Sequence, residues 1–363
     1  MELSVCIAAK VDDVDYAVLA EELGYARVWV ADSPMLWSDC FTTMGLIAKA
    51  TSRIGIGTGV AVAGLRLAPV TAAAHATVNR LAPGRVFCGI GSGNTAMRIL
   101  GRKPMSVARF DEYLTELRPL LDGEESTLRE GSTVLPTRHV MQDAGFVAFQ
   151  PRMPMYVSAF GPKSMAVAAR HGDGVVLGGV NRAEDVKTVW QLLASVAQKT
   201  GRTLDRSTFR TTLLGTMVVL EPGEAADSAR VKAECGAYAM AVVHYVYEQW
   251  RQYSQTPPDA FAGIWDEYSA MIARVPEERR HLRIHLGHNC WVEPEEERFL
   301  TKEVIEAGCI VGTAPQLADR LAAMSEAGLD EIMILPTLAT KEKVLRDVAT
   351  KVAPLLREPL EVS

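Results

Sequence analysis

Two glycine-rich segments carry the residue types best suited to holding a large, flat ligand. In residues 54–61, IGIGTGVA, an apolar run ends at Gly59-Val60-Ala61. In residues 86–94, VFCGIGSGN, a second ends at Gly91-Ser92-Gly93-Asn94. Without a Cβ, a glycine backbone can lie close against another group. A third small-residue segment, SAFGPKS, places Ser158-Ala159-Phe160-Gly161 just before a proline that opens a helix. The unpaired N–H groups and positive dipole end of a helix N-terminus suit phosphate. Lys163 and Ser164 add a charge and a hydroxyl there. The adjacent Gly178-Gly179 lets backbone close around an anion. The same residues also satisfy a bland alternative, a tight Gly-Pro turn with Lys163 in solvent.

Single polar and aromatic residues complete the candidates. Asp32, with Ser33 behind it, follows an apolar run and could orient a cofactor edge or a water, or simply cap a helix. Trp37 could wall an aromatic ligand or fill a core. His281, His285 and His288 recur at helical spacing, but Gly287 and the strand-like HLGHNCWV break a continuous helix and no carboxylate accompanies them, so no metal site is expected. A pocket acid or base is the better use of one of them, with His288 the first choice and His285 beside it. The aromatics of 238–268 read first as packing. There is no G-x-S-x-G elbow and no Walker loop.

The elements that must position these groups alternate strand and helix. Apolar strands are expected at 3–8, 26–31, 54–60, 86–90, 155–159, 174–177, 211–220 and 331–335, with helices between them. Thr313-Ala-Pro-Gln316 is a capping box with proline in the first turn. Runs that are apolar throughout, rather than alternating, indicate a parallel sheet covered by helices. Eight such units favour an α/β fold closed as a TIM-like (β/α)8 barrel, a single domain over 1–363. An open doubly wound sheet is the rival, but 89–94 reads G-x-G-x-G-N and not the dinucleotide fingerprint G-x-G-x-x-G. Residues 223–300 break the pattern as a mainly helical insertion between strands seven and eight, expected to form the substrate side of a pocket. Residues 123–150 are a polar insertion with an edge strand at 145–149. In a barrel, binding and catalytic groups gather at the carboxyl ends of strands, which is where the segments above fall.

The chain has 363 residues and a formal net charge of −6, which gives no electrostatic case for nucleic acid or an anionic membrane. No apolar run approaches the roughly 20 residues of a membrane span. The start lacks a basic n-region and long apolar h-region. Six scattered cysteines without a C-x-x-C pair fit a reducing cytoplasm.

Taken as a set, IGIGTGV…RLAPVTAAAHATVNRLAPGRVFCGIGSGN, RFDEYLTELRPLLDGE, SAFGPKSMAVAARHGDGVVLG and IVGTAPQLADRLAAMSEAGLDEIMIL resemble the bacterial luciferase-like superfamily. That superfamily comprises FMN-dependent monooxygenases and deazaflavin-dependent oxidoreductases such as methylenetetrahydromethanopterin reductase. The resemblance implies a non-prolyl cis bulge at Gly59-Val60 and an isoalloxazine ring near Asp32, Val60, Ala61, Gly91 and Asn94. It places a phosphate or phosphate-like tail on Phe160-Gly161, Ser164 and Gly178-Gly179. It further implies a homodimer paired through the helices after strands two and three, especially Thr71 to Ala76. Two departures stand out: Ser33 replaces a histidine common in the superfamily, and Asn94 stands where deazaflavin-dependent sugar-phosphate dehydrogenases carry glutamate. The alcohol-oxidising acid/base pair is therefore missing. The leading expectation is an FMN-dependent monooxygenase served by a separate flavin reductase and acting on a small organic substrate with oxygen. The alternatives are an F420-dependent oxidoreductase delivering hydride to a C=N or C=C bond, and a non-catalytic flavin-binding protein.

Overall fold

The computed structural model describes residues 1–254 and 256–357. Eight parallel strands close into a barrel: β1 (Glu2–Ile7), β2 (Arg27–Val30), β3 (Gly55–Thr58), β4 (Val86–Gly91), β5 (Met155–Ser158), β6 (Gly174–Leu177), β7 (Arg210–Gly215) and β8 (Glu331–Ile334). Closure is explicit in the pairing. β8 bonds to both β1 and β7, and β3 bonds to both β2 and β4.

The apolar strand runs follow from burial on both faces. In β2, Val28 and Val30 point outward into the layer shared with the helices, while Trp29 points inward. Trp29 meets Phe87 with ring centroids 4.4 Å apart and Tyr156 at 5.6 Å. These three aromatics fill the barrel, leaving its interior a packed core. Beneath them the wholly buried Glu331 accepts from Trp29 Nε1 at 2.9 Å, Arg27 Nη1 at 2.7 Å, Arg210 Nε at 3.1 Å and Thr212 Oγ1 at 3.0 Å. Burial alone would raise its pKa; Arg27 and Arg210 outweigh that and hold it below the usual glutamate value.

The capping box forms as expected, with Thr313 N donating to Gln316 Oε1 at 2.9 Å ahead of the helix Ala314–Glu326. All six cysteines are buried and free, and no described helix is long and apolar enough to cross a membrane. The 223–300 insertion contains the helices Ala229–Tyr253 and Ala262–Ala273 around an apolar core of their own. It is sewn to the barrel by Tyr238 Oη donating to the Leu214 carbonyl at 3.0 Å and Thr337 N donating to the Glu234 carbonyl at 3.2 Å.

Three local expectations are corrected, and a fourth is narrowed. The seventh strand stops at Gly215; the chain turns at Thr216, and Met217–Val219 pairs instead with Ile310–Gly312 in a separate two-stranded sheet. No strand forms at 145–149; the insertion's strands are an antiparallel hairpin, Ser126–Glu130 with Thr133–Thr137. The strand-like HLGHNCWV is a run of turns, with Gly287 at φ +75° and Asn289 at φ +57°. Part of the alanine-rich stretch of helix Ala68–Leu81 is spent inside the chain, while Ala73 and Ala74 stay half-buried. Thr71, Ala72, His75 and Ala76 are buried, and the Thr71 hydroxyl meets Tyr113 Oη of helix Val107–Leu121 at 2.7 Å. Only Leu67, Val70 and Leu81 leave large apolar side chains exposed on this helix and its cap.

Candidate functional site

The carboxyl ends of the strands form one mouth, and the sequence candidates divide over two sides of it. On one side, β3 ends in a cis peptide between Gly59 and Val60, after which Ala61–Val62 pairs with the end of β4. Gly91 keeps the floor flat there: a Cβ would come within 3.0 Å of Val60 Cγ2 and 3.3 Å of Ser158 Cβ. Thr58, ahead of the bulge, donates to the Gly89 carbonyl at 2.6 Å and touches His75 Nε2 at 3.2 Å. Burial pushes the His75 imidazole down to about 4.

Asp32 sits buried at the end of β2. Its Oδ2 accepts from Val62 N at 3.1 Å and pairs with Arg66 Nη1, while Oδ1 accepts from Arg66 Nη2 at 3.1 Å. The carboxylate thus ties the bulge loop to β2. The capping role weighed for it falls to Asp39, which accepts from Thr42 N at 2.8 Å. Ser33 is buried beside it.

On the other side, the helix Pro162–His171 opens at Gly161. Phe160 N and Gly161 N both donate to Ser164 Oγ at 3.1 Å, so that hydroxyl orders the loop. Lys163 is exposed, and Phe160 is 57% exposed with its ring 5.9 Å from Tyr245 of the insertion. At Gly161 and Gly179 a Cβ would meet nothing within 4 Å, which leaves open space in front of this backbone; Gly179 has φ +70°. A Cβ on Gly178 would meet the Phe160 ring at 2.7 Å. Small residues backing a flat floor, and an open helix N-terminus across from it, fit a flavin or deazaflavin with an anionic tail.

The insertion delivers the histidines. His288 reaches the mouth, with its ring 6.0 Å from Trp37 and its Nε2 3.4 Å from Thr95 Oγ1. Burial, reinforced by His285 and His244 nearby, pushes its pKa well below 6.5, and its Nδ1 has no partner. Trp37 lies partly buried between this ring and Cys290, donating from Nε1 to Sγ at 3.4 Å. His285 is set back from the mouth, wholly buried, with Nε2 3.1 Å from Glu248 Oε1. His281 lies outside, beside Gly101. No group of three metal-ligating residues occurs among the described residues.

Several site residues escape the sequence reading. Arg98 donates to Asn94 Oδ1 at 2.7 Å, pairs with Glu248 at 3.4 Å and bonds Gln252. Its four-residue spacing from Asn94 was the available signal. Arg66, Thr95 and Glu248 carry none, because their partners are remote in sequence.

Comparison with known proteins places this architecture. The chain is 33% identical over 211 residues to the F420-dependent glucose-6-phosphate dehydrogenase of Beutenbergia cavernae, covering 53% of this chain and 60% of that one. The chain thus spans little more than half the length of the first curated relatives it matches. It is 24% identical over 349 residues to the 5,10-methylenetetrahydromethanopterin reductase of Archaeoglobus fulgidus, covering 94% and 95% of the two chains. Its fold matches the coenzyme F420-dependent tetrahydromethanopterin reductase of Methanopyrus kandleri at a TM-score of 0.71 and 19% identity, over 98% of this chain and 100% of that one. The family model for luciferase-like monooxygenases matches residues 9–331, and with that span this chain belongs to the luciferase-like monooxygenase family.

Proposed function

We propose that this protein is a coenzyme F420-dependent oxidoreductase that moves hydride to a C=N or C=C bond of a small organic substrate. The observation that carries this reading is its likeness to relatives named for F420. These weigh toward the deazaflavin over the FMN monooxygenase that the sequence alone placed first. With the deazaflavin as hydride source, a separate flavin reductase drops out of the proposal. A small-molecule substrate and a homodimer stay in it.

The bulge at Gly59-Val60-Ala61, with Gly91 and Ser92, would back the ring, and Ser158, Ala159, Gly161, Ser164 and Gly178-Gly179 would hold the tail. When bound, the deazaflavin supplies the hydride; the protein supplies position, a proton and exclusion of water. Asp32 keeps the bulge in place through Arg66 and Val62 N. Trp37 walls the pocket. His288 is the proton carrier: its neutral ring, with Nε2 3.4 Å from Thr95 Oγ1, would relay the proton that accompanies the hydride, and its lowered pKa means that a proton once taken up is readily passed on.

The test is a side-by-side titration of the apo-protein with FMN and with coenzyme F420, followed by fluorescence. Binding at least tenfold tighter to F420 supports the reading. FMN binding tenfold tighter, with oxygen consumption when reduced FMN is supplied, overturns it.

A further inference from the structure

Five side chains close a ring between the barrel and the insertion. Thr95 and Arg98 lie on the short helix Thr95–Arg98 after β4; Glu248 is on the helix Ala229–Tyr253; His285 and His288 are on the turns that follow the helix Arg280–Ile284. Arg98 pairs with Glu248, Glu248 bonds His285, the His285 and His288 rings meet edge to face at 5.4 Å, and His288 returns to Thr95. Within this ring Arg98 makes one contact that points outward to chemistry, its Nε donating to Asn94 Oδ1 at 2.7 Å.

That contact fixes which end of the Asn94 amide remains available. A guanidinium has donors and no acceptor, so the atom facing Arg98 is the amide oxygen. The NH2 end is left free, on a partly buried side chain at the mouth end of β4. An amide does not titrate, so this position neither accepts nor delivers a proton. It offers two N–H donors, held by a guanidinium that is itself held by a buried carboxylate.

The charges nearby agree. Both arginines that touch mouth residues are committed, Arg66 to Asp32 and Asp39 and Arg98 to Glu248. His288 is neutral at pH 7 by the cause already given. An anion bound beside Asn94 would find both guanidinium charges already paired with carboxylates, and no imidazolium.

We infer that Asn94 is a specificity-determining donor, oriented by Arg98 as a positioning residue, and that the substrate is an uncharged compound whose reducible double bond is conjugated to a carbonyl oxygen accepted by the Asn94 NH2. The inference rests on the F420 reading and narrows it. A sugar phosphate is excluded from this pocket, although one of the chain's relatives is named for it.

The experiment uses the protein loaded with oxidised F420, where no turnover occurs. Two probes are titrated by calorimetry and by tryptophan emission, with Trp37→Phe measured alongside to isolate the Trp37 signal: cyclohex-2-enone, a neutral enone, and glucose 6-phosphate. The enone is expected to bind and to perturb Trp37, while glucose 6-phosphate neither binds nor competes. Asn94→Ala, which spares the Arg98–Glu248 pair, is expected to weaken enone binding about fivefold, in line with loss of a neutral hydrogen bond. Arg98→Met frees the amide to rotate and is expected to do the same. Because it also strands Glu248, it is measured alongside Arg98→Met/Glu248→Leu, which removes both buried charges together. Enone binding unchanged in Asn94→Ala and in the folded double variant overturns the inference, as does preferential binding of glucose 6-phosphate. Failure of F420 to load overturns the earlier reading instead, and is seen before either probe is added.

Discussion

His75 links the stability of the barrel wall to pH in a way that can be worked out in advance. It lies fully buried in the helix Ala68–Leu81, with Nδ1 2.9 Å from the Thr71 carbonyl, Nε2 3.2 Å from Thr58 Oγ1 and the Phe41 ring edge-on at 5.0 Å. Burial lowers its pKa from 6.5 to about 4; the Thr71 carbonyl and Asp32 oppose that shift without cancelling it. The native state therefore binds fewer protons than the unfolded chain between those two values. The stabilisation is complete above pH 6.5 and is lost as pH falls toward 4. The whole displacement corresponds to about 3 kcal/mol, of which about 2 kcal/mol disappears between pH 7 and pH 5. His75→Gln keeps a donor for Thr71 but cannot titrate. At pH 7 it should cost about 1–2 kcal/mol through lost hydrogen bonding. Its stability should then fall by about 2 kcal/mol less than the parent's on going to pH 5. The assay is urea unfolding of both proteins at the two pH values, with the imidazole titration of the parent followed by NMR. Equal pH dependence in parent and variant, or a His75 resonance titrating near 6.5, would refute the reasoning.

Other outcomes follow from the same geometry. His288→Ala should lower turnover by at least about a hundredfold, the usual scale of a lost general acid or base, while F420 affinity stays within about twofold; an unchanged turnover would remove His288 from the mechanism. Gly161→Val should weaken coenzyme binding at least about tenfold, or 1.4 kcal/mol, with no loss of thermal stability. Its backbone, at φ −128°, accepts a side chain, and the new Cβ points into open space. Light scattering at micromolar concentration should give twice the monomer mass of 39.5 kDa. Val70→Asp, at the exposed end of the helix after the bulge loop, should return it to monomer. A parent that stays at the monomer mass would dismiss the dimer.

Much of the barrel was legible because its cause is local. Strands buried on both faces must be apolar throughout, and β4, VFCGIG, shows that composition directly. Helix starts were legible where a short-range bond makes them, as at Thr313 and Gln316. The cis bulge and the glycine floor fell on residues that the family resemblance named. The seventh strand was read too long because Thr216 interrupts an apolar run without changing its composition, and only pairing with Ile310–Gly312 shows that the chain has left the barrel. The alanine-rich face of helix Ala68–Leu81 looked free for a partner because small residues suit any close contact, whether within the chain or between chains.

The division is one of range. Composition and periodicity determined that this chain is a parallel α/β protein with an aromatic insertion before its last strand, favoured the closed barrel over an open sheet, and placed glycine, serine and asparagine at the strand ends. These properties depend on neighbours within a few residues, or on whether a segment is buried at all. Tertiary structure alone decided the state of the polar groups in that mouth. Asp32 is a brace because Arg66 comes from another loop. The Asn94 oxygen is held by an Arg98 that pairs with the remote Glu248, and His288 stands beside Trp37 because Glu248 and His285 anchor the turn that carries it. A polar side chain's chemistry is set by the partner that closes on it, and here most of those partners lie far away in the chain.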